Sequence, residues 1–224
     1  MGKPLAFGAH PLREEAKKKS EEITKKNSKT GTFSILAISP NSTLMGVAVA
    51  SGSTSVGDRV PHAKSGVGVI ATQAYTNIAY GIKGLELLAR GFSPKQTLDR
   101  LLMEDSGREL RQVAILDFKR RKTVFTGVKA PKFRGEIVGE SYVVIGNLLA
   151  GKEVARSMAE EFERSSGDLA WRMAKALKAG SESGGDKRGE KSAALIVVST
   201  EKVEVEIKVD KHVNPIGELF QKLC

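Results

Sequence analysis

The order in which apolar strands and paired helices follow one another constrains this chain most. From Thr32 onward, TFSILAIS and LMGVAVAS are apolar runs joined by PNST, whose Pro, Asn and Ser suit a turn, and together they read as a hairpin. A Gly/Ser-rich loop (51–61) leads to a third strand, GVGVIATQ (66–73). Two helices come next. The first, 79–91, sets Leu85, Leu88 and Ala89 on one face and stops at a glycine. The second, 93–105, opens with Ser93 as N-cap, Pro94 at the first helical position and Gln96 as the reciprocal member of a capping box. The second half runs through the same kinds of element. Strands fall at 111–118 and 122–128, with one or two more in 136–147. Helices fall at 152–165 and 167–180, the latter capped by Asp168, before a closing hairpin (192–210) and a terminal helix (215–223). Adjacent helix pairs between runs of strands do not fit a doubly wound parallel sheet. Strands this continuously apolar need cover on both faces. The expected class is therefore α+β: a four-layer αββα sandwich of two stacked, mainly antiparallel sheets with a helix pair outside each.

Residues 1–31 differ from the remainder. They carry eight Lys/Arg against four Glu and little to bury, and read as a charged tail or pro-segment, either a solvated helix or a disordered stretch. The expected single domain is 32–224. The net charge of +10 is otherwise spread thinly, and at 5% aromatic content no basic stretch offers stacking platforms, so nucleic acid is not the expected partner. No apolar run approaches the length of a membrane span. The one Cys, Cys224, excludes a disulfide framework and cysteine-pair zinc sites, and fits a reducing cytoplasm. His10, His62 and His212 are far apart, so neither metal nor cofactor is expected. A homodimer is the expectation on prevalence.

Two glycine motifs lack their mechanism. GSTSVGDR (52–59) has Asp58 where a phosphate-binding Lys belongs, and the glycines of GVGVIA (66–71) fall inside a strand. What remains is Gly31-Thr32, where the first core strand begins abruptly at a Thr after a dispensable segment. A free α-amine, with a pKa near ~7.7–8.0, can take the proton of its own residue's hydroxyl, so an N-terminal Thr holds nucleophile and base together and needs no His. Gly31 would ease the strained scissile peptide. A Thr that merely opens a strand is the competing reading.

Several stretches combine into a family resemblance: TFSILAI (32–38), GVAVAS (46–51), VP-x-A-x-x-GVG-x-IATQA (60–74), N-x-x-YG-x-x-GL-x-LL (77–88), RELRQ (108–112), GNLLAG (146–151), GGDKRG-x-x-SAAL (184–195) and VDKHVNP (209–215). From Thr32 on, the chain resembles the uncharacterised family called domain of unknown function 1028, of the Ntn-hydrolase-like superfamily. The resemblance implies the αββα fold reached above and an amide hydrolase acting on a small amide or peptide-like substrate. Members similar to this chain carry the Thr directly after the initiator Met. Here residues 1–31 precede it, so Gly31–Thr32 is cleaved, or the start lies further on, or the protein is not an active hydrolase. The alternative function is a non-catalytic Ntn-fold protein that binds small molecules or serves assembly.

Roles follow for named residues. Thr32 is the candidate nucleophile. Ser51, ending the second strand beside it, is a candidate to orient the amine, or a turn residue. Lys64 matches the offset of the catalytic Lys of proteasome-type threonine peptidases, or is a surface Lys. Asn147 is a candidate oxyanion donor or a turn former. Gln73 and Asn77, flanking the third strand's exit, are candidate substrate contacts. Asp186 and Arg188 would clamp an amino-acid-like substrate or pair with each other. Asp210 and His212 are expected to form a structural hydrogen-bond pair.

Overall fold

The computed structural model describes residues 31–224; the expected charged tail or pro-segment lies, but for Gly31, outside the described residues. Among the described residues, ten strands form two antiparallel sheets. The larger sheet runs β10 (Val203–Val209), β9 (Ser192–Ser199), β2 (Leu44–Ser51), β1 (Thr32–Ile38), β8 (Tyr142–Asn147), β7 (Gly135–Val138). The smaller runs β3 (Pro61–Lys64), β4 (Gly68–Ala74), β5 (Arg111–Asp117), β6 (Lys122–Thr126). Helices α1 (Ala79–Ala89) and α2 (Pro94–Met103) cover the small sheet. Helices α3 (Glu153–Arg164), α4 (Leu169–Glu182) and α5 (Pro215–Leu223) cover the large one. The four layers are those expected of an αββα sandwich.

Local chemistry explains the elements. Ser93 accepts from the Gln96 N–H while the Gln96 side chain accepts from the Ser93 N–H, and Asp168 accepts from the N–H groups of Ala170 and Trp171. The segment 136–147 resolves into two strands around a turn. β3 is a strand beyond those expected: four residues beginning with Pro61, it lies at the small sheet's edge, where a missing N–H costs no ladder bond.

Alternation sorts the side chains into three cores. On β1, Phe33, Ile35 and Ala37 pack under the helices, and Leu36 and Ile38 face the other sheet. Between the sheets lie Met45, Val47 and Val49 of β2, Val69 and Ala71 of β4, Ala114 and Leu116 of β5, and Val143 and Ile145 of β8. Each large apolar side chain so buried stabilises by about 1.5–3 kcal/mol.

The ends of the sandwich are unlike. The short connections 39–43, 65–67, 118–121, 139–141 and 200–202 all lie at one end. Gly66 N donates to Ser199 O at 3.2 Å and Arg120 Nε to Ser42 Oγ at 2.9 Å, tying turns of the two sheets together. The connections 52–60, 75–78, 104–110, 127–134, 148–152, 183–191 and 210–214, four of them longer than any at the first end, serve the opposite end, where Thr32 begins β1.

Candidate functional site

At this second end each row of side chains between the sheets terminates in a polar residue. The apolar row of β1 ends in Ser34 and Thr32, that of β2 in Ser51, of β4 in Gln73, of β5 in Gln112 and of β8 in Asn147. Register brings them together: Thr32 pairs with Ser51 on one side and Asn147 on the other, and Gln73 pairs with Gln112 in the facing sheet. Thr32 is 5% exposed and the other five are fully buried.

Two networks meet at Thr32. On the outer side, Thr32 Oγ1 donates to the Gly31 carbonyl oxygen at 2.7 Å and lies 3.0 Å from Ser51 Oγ. Ser51 Oγ reaches the same carbonyl at 2.7 Å. Ser53 Oγ lies 3.0 Å from Ser51 Oγ, and Arg59 Nη2 donates to Ser53 Oγ at 2.7 Å. Burial pushes the Arg59 guanidinium below its usual pKa, with neighbouring Asp58 opposing. On the inner side, Gln73 Nε2 donates to Thr32 O (3.2 Å) and to Gln112 Oε1 (2.8 Å), while Gln73 Oε1 accepts from Ser34 Oγ (2.6 Å). Gln112 Oε1 also accepts from Asn147 Nδ2 at 3.1 Å, and Gln112 Nε2 donates to Gly146 O at 3.0 Å. The strands bearing Gln73 and Asn147 each continue into a left-handed non-glycine residue, Ala74 (φ 68) and Leu148 (φ 50). Such conformations cost about 1–3 kcal/mol each and persist where the surroundings fix them.

Gly31 is glycine for space. A Cβ there would lie 2.7 Å from the Asp186 carboxyl and 2.8 Å from Leu148 O. Asp186 is itself saturated: it accepts from Gly52 N (2.6 Å) and from Arg188 N, Nε and Nη2 (3.0, 3.0 and 2.7 Å), with no exposed side-chain surface. A cavity of about 420 Å3 is lined by Phe133, Arg134, Glu136, Leu149 and Lys152, and none of the polar side chains around Thr32 lines it. A larger one of about 490 Å3, between α4 and α5, involves none of the groups around Thr32.

The sequence-derived candidates are thus divided. Thr32 and Ser51 are in contact. Gln73 and Asn147 are adjacent, but their amide nitrogens are turned inward to Gln112 and Thr32 O instead of to a ligand; Asn147 Oδ1 has no hydrogen-bond partner among the described residues. Asp186 and Arg188 hold each other, which corrects the clamp: a carboxylate with every oxygen occupied has none to offer a substrate. Asn77 serves the start of α1, accepting from Ala79 N at 3.1 Å, and joins a separate cluster around Asp105. Lys64 is exposed at the hairpin end, paired with Gly68. A strand rises about 3.3 Å per residue, so the run from Gly68 to Gln73 separates it from Thr32 by roughly 16 Å, and it does not act there. Asp210 and His212 do not pair; both are exposed, and the His212 ring meets the Asn214 backbone. Ser34, Ser53, Arg59 and Gln112, which no sequence motif marks, complete the two networks. Among the described residues, no three His, Cys, Asp or Glu side chains converge as a metal site requires, and no helix is long and apolar enough to cross a membrane.

An αββα sandwich whose central strand opens on a threonine, with polar residues gathered at that end, defines the class of protein. A family model described as "Family of unknown function (DUF1028)" matches residues 32–219, and the chain belongs to that family. Among solved structures, it is similar to protein SPO2555 from Silicibacter pomeroyi, a DUF1028 protein, with a TM-score of 0.81 and 33% identity over 86% of this chain and 84% of that one. Anbu (ancestral beta-subunit) from Yersinia bercovieri aligns with a TM-score of 0.42 and 11% identity over 86% and 92% of the two chains. None of the curated proteins matches.

Proposed function

We propose that the protein is an N-terminal-nucleophile amide hydrolase whose first substrate is its own Gly31–Thr32 bond. The observation that carries this reading is the pair of hydroxyls, Thr32 Oγ1 and Ser51 Oγ, each 2.7 Å from the Gly31 carbonyl oxygen. In the cleavage, Thr32 Oγ1 bonds to the Gly31 carbonyl carbon and the carbon–nitrogen bond breaks. The hydroxyl proton ends on the Thr32 nitrogen, leaving an ester. Water then cleaves the ester, returning the Thr32 hydroxyl and leaving a carboxylate on Gly31. The freed α-amine has a pKa suited to act as base at neutral pH, and the same hydroxyl then attacks a small amide or peptide-like substrate. The Ntn-hydrolase-like resemblance of the sequence, with its αββα fold, supports the same reading.

Intact mass and N-terminal sequencing of the purified protein test it. The expected result is a wild-type chain beginning at Thr32 and a Thr32→Ala chain that stays whole. A wild-type chain retaining Gly31, with a protein started at Thr32 inactive on a panel of small amides, would sink it. The second reading, a binding protein on the same fold, is favoured by the inward-turned amides of Gln73 and Asn147; it predicts an intact bond and saturable ligand binding without turnover.

A further inference from the structure

The direction of the hydrogen bonds around Ser51 is set from Arg59. A guanidinium has donors only. Arg59 is anchored by Nη2 to Thr54 O at 2.9 Å and by Nε to Ser55 O at 3.4 Å, and its Nη2 donates to Ser53 Oγ. With that oxygen accepting from Arg59, the single Ser53 hydroxyl proton is free to point at Ser51 Oγ. Ser51 Oγ also accepts the Ser53 backbone N–H at 3.2 Å. Both of its lone pairs are then engaged, and its own proton must leave on the remaining side. There the acceptors are Gly31 O at 2.7 Å and Thr32 Oγ1 at 3.0 Å.

We infer that Arg59 and Ser53 are positioning residues that hold Ser51 as a hydrogen-bond donor toward the reacting atoms, so that Ser51 is the oxyanion donor for attack on the residue-31 carbonyl and not the base that deprotonates Thr32. This rests on the proposed cleavage. As Thr32 Oγ1 adds to the carbonyl carbon, negative charge gathers on Gly31 O, where the Ser51 proton is already aimed, and no reorganisation is needed at that moment. In the mature chain Gly31 O is gone, and the same proton turns to Thr32 Oγ1. The charge that polarises the site therefore enters from the loop 52–60, through two serine hydroxyls, and not from a lysine touching the nucleophile.

Two measurements test this apart from the cleavage itself. In the first, the freshly translated full chain is followed by intact mass. Ser53→Ala and Arg59→Met should each slow cleavage at residue 31 by roughly tenfold, the rate equivalent of one net hydrogen bond, and the double variant should be no slower than either. Arg59→Lys, which keeps a donor, should recover most of the rate. Unchanged rates in Ser53→Ala and Arg59→Met, with Thr32→Ala still whole, overturn the inference and leave the hydrolase reading standing. In the second, the Thr32→Ala chain keeps the bond whether or not the wild type cleaves, and the Gly31 carbonyl carbon resonance reports the Ser51 hydrogen bond. Adding Ser51→Ala should move that resonance, and Ser53→Ala or Arg59→Met should move it in the same direction. A resonance that moves with Ser51→Ala alone refutes the relay, and one that moves with none refutes the donor.

Discussion

The two ends of the sandwich use the same strands for opposite purposes. At the hairpin end the chain turns back in connections of three to five residues, and the polar groups there serve those turns or, as with Arg120, join one part-exposed turn to another. Asp117, for instance, accepts from Lys119 N, Arg121 N and Arg121 Nε, closing its own hairpin. At the crossover end the connections run from four to nine residues, and buried polar side chains reach across layers: Gln73 in one sheet holds the backbone of Thr32 in the other. Left-handed residues occur at both ends, but Ser42 and Arg120 lie in tight turns, whereas Ala74 and Leu148 directly follow the buried amides. Polar groups at part-exposed turns are replaceable one at a time; fully buried ones that bridge layers are not.

Substitutions at the two ends should separate them by size of effect. Gln112→Leu should be the most damaging, at about 3–5 kcal/mol in denaturant unfolding, since it strips partners from Gln73, Asn147 and Gly146 O inside the protein. A loss under 1 kcal/mol would mean the amide row is not bridging the sheets.

Acid should act next. Asp105 accepts from Arg111 Nε (2.8 Å), Gly107 N (2.8 Å) and Tyr80 Oη (3.0 Å), all at the crossover end. Burial alone would raise its pKa, but the hydrogen bonds from Arg111, Gly107 and Tyr80 outweigh it and hold the carboxyl at about 2. A folded pKa below the unfolded value adds stability above about pH 4 that is lost as pH falls toward 2. About 2 kcal/mol should disappear across that window in wild type and be missing from the pH profile of Asp105→Asn. Identical acid slopes in the two chains would contradict it.

At the hairpin end, Arg120→Ala removes bonds to Ser42 Oγ and to the carbonyls of Ser39 and Pro40, and should cost only about 1 kcal/mol while leaving cleavage at residue 31 unchanged. Lys64→Ala should be the quietest, within about 0.5 kcal/mol, with wild-type processing. A processing defect in Lys64→Ala would erase the distinction between the ends.

The layers were legible because they follow from period and order. Continuous apolar strands demanded two covered faces, and caps such as Ser93 and Asp168 fixed the helix starts. Thr32 and Ser51 were legible as a pair because a hairpin with a short turn brings its two outer ends together. Lys64 misled because its offset from Thr32 was counted without β3. That unexpected strand carries the chain from the crossover end to the hairpin end, so Lys64 lands far from Thr32 while Arg59, before the strand, stays near it. Gln112 and Ser34 carry no motif: each is a polar residue near the end of a mostly apolar strand. The period-2 row Gln112, Ala114, Leu116 marks Gln112 as inward-facing, but its partners come from other strands, and no local pattern reveals those. Asp186 was visible as a charge beside Arg188; that the two would satisfy each other depended on the Gly52 backbone far away in sequence.

The buried amides also decide how the two sheets sit on one another. A face of Val, Leu, Ile and Ala meeting another such face is attracted without direction, and a shift by one pair of residues would exchange one methyl-lined contact for a similar one. The row from Ser34 through Gln73 and Gln112 to Asn147 has no such equivalent: displaced by the same step, its donors and acceptors would be pressed against hydrocarbon. The row works as a detent, a single notch that stops an otherwise slippery contact at one alignment, and the notch is cut at the end of the molecule where Thr32 must be held still.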